Sequence, residues 1–599
     1  MALPDLIPVE DLLGLPERAR ASISPDGTRI AFLAPWKNRL NVWIHDLEPG
    51  SEPRCVTADE TRNVVRYEWA DDPRWLLYLQ DDGGDENWHL YRVDLDTPGA
   101  AAVDLTPFPG DRVVSFEPAA DRSGRMTLLL ARATGEFQSF ELDVPTGGLT
   151  PRDEDPTSQA PGLLQAGEWF DGTDYPLGVY PMQATPDGTG LWIGSHRGTD
   201  LTRLVHVELA TGEVTEVDSH PTMDLETRAQ VFPTLPSPLI LGRRGELLGV
   251  RYLGERQVIH ALDPHFAEVL QNLEKLSEGD LTMVSSDTSG QRWVVAFNHD
   301  RDPGATWFYD HSTGESRLLF RPYPHLDPDA LAPMRPVTIT ARDGLRLPSY
   351  LTLPVGVEPT GLPMVLLVHG GPWTRDAWGF DSSVQLLANR GYAVLQVNFR
   401  GSTGYGKAHA QAAIGEFAGK MHDDLIDAVD WAVEQGYADP ERVAIIGGSY
   451  GGYAALVGVT FTPDRFAAAV DVVGISNLAN FMRTQPAFVR PGLVNNWYRY
   501  VGDPEIPEQE ADMLARSPIT RVHEIRTPLM VVQGANDSRV VREESDQIVE
   551  SLRARDVDVE YLLFGDEGHG FVNPENQITL FGAIERFLAQ HLGGREDHA

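Results

Sequence analysis

The sequence predicts two unlike domains in one chain: an all-β array of short repeated units, then an α/β domain with a mostly parallel sheet. Three observations predict this. The first 320 residues repeat a turn followed by an apolar strand. Residues 442–457 read as a buried strand, a Gly-x-Ser-x-Gly turn and a helix start. Two later apolar strands end in loops that carry Asp537 and His569.

The all-β part is read from its turns. Ser24-Pro25-Asp26-Gly27 precedes Arg29-Ile30-Ala31-Phe32-Leu33, and Ala70-Asp71-Asp72-Pro73 precedes Trp75-Leu76-Leu77-Tyr78-Leu79. Asp121-Arg122-Ser123-Gly124 and Thr185-Pro186-Asp187-Gly188 open two further units. Asp287-Thr288-Ser289-Gly290 opens another, and Gly242-Arg243-Arg244-Gly245 is a weaker copy. Short strands, regular turns and a repeat of ~40–50 residues are the signature of a β-propeller. Six units are visible, unevenly spaced. Residues 1–20 form an N-terminal tail, 21–325 the propeller and 326–599 the α/β domain. The Pro-rich Arg321–Pro328 stretch supplies the boundary.

The second part alternates strands and helices, which makes a mostly parallel sheet covered on both faces. It opens with Val337-Thr338-Ile339-Thr340, the turn Arg342-Asp343-Gly344 and Leu351-Thr352-Leu353. Met364–Val368 and Tyr392–Val397 are central strands. Leu425, Val429, Ala432 and Val433 recur at helical spacing, with Asp423, Asp424 and Asp430 expected on other faces.

The chemistry starts at Gly447-Gly448-Ser449-Tyr450-Gly451-Gly452. A strand–turn–helix this sharp admits only small residues beside the serine and lifts its hydroxyl clear of the sheet. A nucleophile on an α/β-hydrolase elbow needs an acid and then a base, in that chain order. Leu529–Gly534 runs into Ala535-Asn536-Asp537, and Tyr561–Phe564 into Gly565-Asp566-Glu567-Gly568-His569-Gly570. Ser449 is therefore the nucleophile, His569 the base, and Asp537 the group that fixes the imidazole tautomer. The Tyr450 N–H and the N–H groups of Gly370 and Gly371 form the oxyanion hole. His369 is read as a structural histidine bracing that loop.

Taken together, four stretches resemble the prolyl oligopeptidase family of serine peptidases, nearest its acylaminoacyl-peptidase and dipeptidyl-aminopeptidase-like branch. They are His369–Pro372, Asn398–Gly406, Gly447–Gly452 and Asp566–Gly570. The resemblance covers residues 335–595 and implies the same Ser449, Asp537, His569 triad. It implies seven propeller blades, the number usual in relatives. It makes Arg539, two places after Asp537, a binder of substrate carbonyl or carboxylate. Endopeptidase relatives carry a tyrosine where this chain has His369, which argues against prolyl-endopeptidase activity.

Further substrate-binding candidates follow from position. The acidic loop Asp81–Asn87 could reach the central cavity, and Asp85 and Glu86 are its candidates for holding a substrate ammonium. Arg400 opens the Gly-rich stretch 401–406, read as an active-site wall. Trp497, with Tyr498, Phe488 and Val494, falls where a pocket wall is expected.

Composition narrows the classes. Lys plus Arg is 49 against 88 Asp plus Glu, a net charge of −39, which disfavours nucleic acid as a partner. Cys55 is the only cysteine, so an intrachain disulfide is excluded. The N-terminal residues lack signal-peptide character, and no apolar run approaches ~18 residues, so a cytoplasmic protein without a membrane span is expected. No metal or nucleotide motif is found, and catalysis is expected to need no cofactor. The expected substrate is an oligopeptide or small acylated molecule. The reading is a serine peptidase acting on short peptides, dipeptidyl- or acylaminoacyl-peptidase-like. The alternative is a serine esterase or amide hydrolase acting on a small metabolite. The oligomeric state is left open, a homo-oligomer included.

Overall fold

The structure is a computed structural model that describes residues 3–119, 124–152, 176–177, 179–487 and 489–597. Its N-terminal part is a ring of antiparallel four-stranded sheets. The first sheet is Ala19–Ile23, Arg29–Trp36, Arg39–Asp46 and Arg54–Cys55. Five more follow in chain order, beginning at Arg66–Trp69, Arg112–Pro118, Met182–Ala184, Asp224–Leu225 and Asp280–Ser286.

Alternation along the strands buries one face of each blade against its neighbour. Met126, Leu128 and Leu130 of the third blade pack with Leu77, Leu79 and Leu90 of the second. The ring closes by the same packing between first and last blades, where Ile23, Ile30 and Phe32 meet Val294 and Phe308. The Thr288 N–H donates to the Pro25 carbonyl at 2.8 Å, and Arg292 Nη1 to the Gly27 carbonyl at 2.8 Å.

The propeller therefore has six blades among the described residues, not the expected seven. Each of the six sequence copies precedes one inner strand: Arg29–Trp36, Trp75–Gln80, Arg125–Ala131, Gly190–Ser195, Leu247–Leu253 and Arg292–Asn298. The seventh blade came from relatives, not from this chain. Residues 121–123 of the third copy lie outside the described residues.

The C-terminal domain holds one eight-stranded sheet. Its strands are β1 (Met334–Thr340), β2 (Arg346–Thr352), β3 (Leu362–Val368), β4 (Ala393–Val397), β5 (Ala438–Gly448), β6 (Ala468–Val472), β7 (Leu529–Gly534) and β8 (Glu560–Phe564). The order is β1-β2-β4-β3-β5-β6-β7-β8, parallel from β4 to β8. Both faces are covered, so its strands read as continuous apolar runs. Met364, Leu366 and Val368 of β3 enter one core with the helices Lys420–Glu434 and Tyr450–Phe461. Val365 enters the other core with Pro574–Leu592.

Helix Val9–Leu13 lies on this domain, with Leu12 and Leu13 packed beside Leu331 and Leu386. Two connections then join the domains side by side. The Glu17 N–H donates to the Pro322 carbonyl at 2.8 Å, and Tyr323 Oη to the Gly14 carbonyl at 3.1 Å. Among the described residues no helix is long and apolar enough to cross a membrane.

Candidate active site

Parallel pairing sets the C-terminal ends of β5, β7 and β8 along one edge of the sheet. Ser449 follows β5, Asp537 follows β7 and His569 follows β8. Ser449 caps helix Tyr450–Phe461 with φ 58 and ψ −116, a strained conformation that surrounding structure must enforce. Close packing enforces it. A Cβ at Gly447 would lie 2.4 Å from the Gly451 carbonyl carbon, and one at Gly451 only 2.1 Å from the Val368 oxygen. No side chain larger than glycine fits either place.

Asp537 is fully buried and saturated. Its Oδ1 accepts from the Arg539 and Val540 N–H groups, both at 2.9 Å, and its Oδ2 from His569 Nδ1 at 2.8 Å. A carboxylate oxygen there only accepts, so Nδ1 carries the proton and Nε2 is the basic nitrogen.

The loop after β3 passes directly beside the elbow. A Cβ on Gly370 would be 3.4 Å from Ser449 Cβ. The Tyr450 N–H opens the first turn of its helix, where main-chain N–H groups have no intrahelical acceptor. His369 braces this loop. Its Nδ1 donates to the Gly370 carbonyl at 2.7 Å, and its Nε2 accepts from Ser402 Oγ at 2.9 Å. Its ring stacks on Phe399 at 4.6 Å. Burial pushes the His369 imidazole down to about 4, so it is neutral at working pH. Arg375 extends the brace to the propeller, donating to the Leu253 and Gly254 carbonyls at 3.1 and 2.9 Å.

The structure brings Glu86 and Arg539 together. Arg539 Nε and Nη2 donate to the two Glu86 oxygens at 2.8 and 2.9 Å, and Arg112 Nη1 adds a third bond at 2.8 Å. Burial alone would raise the Glu86 carboxyl. Arg539 and then Arg112 outweigh it and hold the group at about 2. Arg539 keeps 43% of its side chain exposed, so it still faces open space.

Three sequence-stated candidates have other duties. Asp85 accepts from the Asn87 N–H at 2.9 Å and from Asn87 Nδ2 at 2.8 Å, so its carboxylate closes its own turn. Arg400 is 4% exposed and binds Asp424 and Asp343 with Nε, Nη1 and Nη2, which leaves it no fork to offer a substrate. Asp424 is accordingly buried beneath its helix rather than turned to another face. Trp497 is core, edge-on to Trp373, Phe417 and Phe481 at 5.1, 5.6 and 4.7 Å. Through Trp373 it packs against the segment that follows Gly370-Gly371. Phe488 lies outside the described residues.

Sequence reasoning missed Arg62, Asn63 and the role of Glu567, which meet at the loop holding His569. An Arg-Asn pair in a connecting loop carries no local signal of such a contact. Glu567 followed by Gly568-His569 is the one clue.

Comparison with known proteins places this architecture. Residues 378–595 match the prolyl oligopeptidase family. The chain is 39% identical to dipeptidyl aminopeptidase BIII of Pseudoxanthomonas mexicana, across 99% of this chain and 89% of that one. It is 30% identical to dipeptidyl peptidase family member 6 of Caenorhabditis elegans, across 98% and 87%. It superposes on a Mycobacterium tuberculosis puromycin-hydrolyzing peptidase with TM-score 0.75 at 20% identity, covering 100% and 98%. With relatives this similar along nearly all of both chains, the protein belongs to the prolyl oligopeptidase family of serine peptidases.

Proposed function

We propose that the protein is an exopeptidase that releases dipeptide-sized fragments from the free N-terminus of short peptides, using Ser449, His569 and Asp537. The observation that carries the chemistry is the 2.8 Å bond from His569 Nδ1 to a buried Asp537, at the sheet edge where Ser449 is held at φ 58.

Ser449 Oγ attacks the scissile carbonyl while His569 Nε2 takes its proton. The oxyanion is held by main-chain N–H groups of Tyr450 and of the Gly370-Gly371 loop. The intermediate collapses, the C–N bond breaks, and His569 returns the proton to the leaving amine. Water, deprotonated by the same nitrogen, hydrolyses the acyl-enzyme and restores Ser449. Asp537 fixes the tautomer and stabilises the imidazolium.

End recognition rests on the Glu86–Arg539 pair. The Nη1 edge of Arg539, which makes no bond to Glu86, binds a substrate carbonyl, and the Glu86 carboxylate accepts the terminal ammonium. The dipeptidyl aminopeptidase likeness along nearly the whole chain supports this reading.

One observation favours a second reading. Glu86 is already bound by two arginines, so its carboxylate is engaged before a substrate ammonium arrives. A neutral, acylated N-terminus needs no such carboxylate. Aminoacyl-, dipeptidyl- and acylaminoacyl-arylamides, assayed beside short acyl esters, separate the readings. Highest kcat/KM on dipeptidyl-arylamides supports the first, and on acylaminoacyl-arylamides the second. Esters cleaved with no arylamide turnover would sink both.

A further inference from the structure

The loop 566–572, which carries His569, is held by a part of the propeller remote in sequence. Glu567 is fully buried at its centre. Its carboxylate accepts from the Asn573 N–H at 2.8 Å, the Val572 N–H at 3.1 Å and Asn576 Nδ2 at 3.0 Å. The loop thus curls around its own carboxylate, and His569 stands on the curl.

The charge partner of Glu567 comes from the other domain. Arg62, in the connection between the first and second blades, donates through Nη1 to Glu567 at 2.8 Å and to the Asp566 carbonyl at 3.2 Å. Its Nε reaches Asp81 at 3.3 Å. The adjacent Asn63 Nδ2 donates to the Val572 carbonyl at 2.6 Å. Two consecutive propeller residues therefore grip both ends of the loop and the anion at its middle.

The hairpin 81–86 extends this grip to the acid. Asn536 Nδ2 donates to the Gly83 carbonyl at 2.8 Å. Gly84 and Gly568 touch backbone to backbone, and a Cβ on Gly568 would sit 1.9 Å from the Gly84 oxygen. Glu86 holds Arg539, whose N–H binds Asp537.

From this geometry we infer that Arg62 is a positioning residue for His569, acting across the domain interface through Glu567. The inference rests on His569 being the base, and on nothing about substrate ends. A buried carboxylate needs its cation, and a loop curled on that carboxylate keeps its shape only while the charge is compensated. Seating of the propeller therefore sets the base. The nucleophile is independent of it, because the elbow is built wholly within the α/β domain.

The test compares full-length R62M, R62K, E567Q and R62M/E567Q with R39A. Arg39 pairs with Glu575 at 2.6 Å across the same interface without touching the His569 loop. Thermal unfolding checks that each variant is folded. R62M should lose about 30- to 100-fold in kcat with KM within about threefold, and Ser449 should react with a fluorophosphonate more slowly by a similar factor. R62K should recover part of this. The double variant should lose less than the product of the single losses, because both act through one contact. R39A should keep wild-type kcat. If R62M does not fold, N63A, which removes the Val572 bond, should lose about fivefold in kcat. Unchanged kcat in folded R62M or N63A overturns the inference, as does a loss confined to KM or an equal loss in R39A. H569A tests the base itself: retained activity there would sink the triad reading and, with it, the inference that Arg62 acts through His569, whatever R62M shows, whereas a dead H569A beside an unimpaired R62M would overturn the Arg62 inference alone.

Discussion

Glu86 and Arg539 form a two-point ion pair, at 2.8 and 2.9 Å, across 453 positions of sequence. The arginine stands two residues past Asp537, and the glutamate stands on a propeller hairpin. The pair therefore ties a propeller hairpin to the loop that carries Asp537.

Arg539→Ala should lower kcat/KM for peptide substrates by ~10- to 100-fold, or about 1.4–2.7 kcal/mol of transition-state stabilisation. A minimal acyl ester, with no second carbonyl, should lose far less. Assaying both substrates on one preparation cancels folding differences. Equal losses would reduce Arg539 to loop support.

Glu86→Gln distinguishes the two specificity readings. A free-N-terminus substrate should lose more than ~10-fold in kcat/KM if Glu86 takes the ammonium, while an acylated one changes little. The Glu86 carboxyl is held at about 2 against an ordinary 4.5. Its contribution to stability is complete above pH 4.5 and is lost only as pH falls toward about 2. The peptide-to-ester preference, measured from pH 5 to 9, should therefore show no step from Glu86.

Asp471, at the end of β6 beside helix Tyr450–Phe461, behaves in the opposite sense. Burial pushes its carboxyl up to about 7, and the weaker pull of the Gly474 N–H does not offset this. The folded value exceeds the ordinary 3.8, so the folded state binds more protons between pH 4 and 7. Stability then falls as pH rises through that window, by no more than about 4 kcal/mol. Asp471→Asn should flatten the fall, seen as a smaller drop in Tm between pH 5 and 8. A wild-type slope in the variant would contradict the assignment.

Arg400 should prove structural. Arg400→Ala leaves Asp424 buried without its cation, and breaking such a pair costs about 3–5 kcal/mol. Urea unfolding should show the loss, with KM of the remaining folded enzyme unchanged. A raised KM at wild-type stability would restore the substrate-binding role.

What could be read from sequence was what is local. The Ser449 elbow is spelled by glycines that sterics require within five residues, and Asp537 and His569 each follow a strand end. The six turn-then-strand copies each mark a blade. Reading a seventh meant trusting relatives over the chain. Long-range pairing left no such trace. Asp85 and Glu86 are neighbours in one acidic loop, and only the fold decides that one closes a turn and the other meets Arg539. Asp424 sits at a helix position that suits solvent, and only Arg400 explains its burial. Arg62 and Asn63 reach the His569 loop from about 500 residues away, beyond any periodicity or motif.

The central claim is that Ser449, set on its elbow and served by His569 and Asp537, is the nucleophile of this peptidase. The most direct measurement is fluorophosphonate labelling of the full chain, with the adduct located by peptide mass spectrometry, beside turnover of Ser449→Ala. The adduct should map to Ser449 alone, and Ser449→Ala should fold normally while losing at least about 10⁵-fold in kcat. An adduct on another serine, or substantial turnover by Ser449→Ala, would contradict the account.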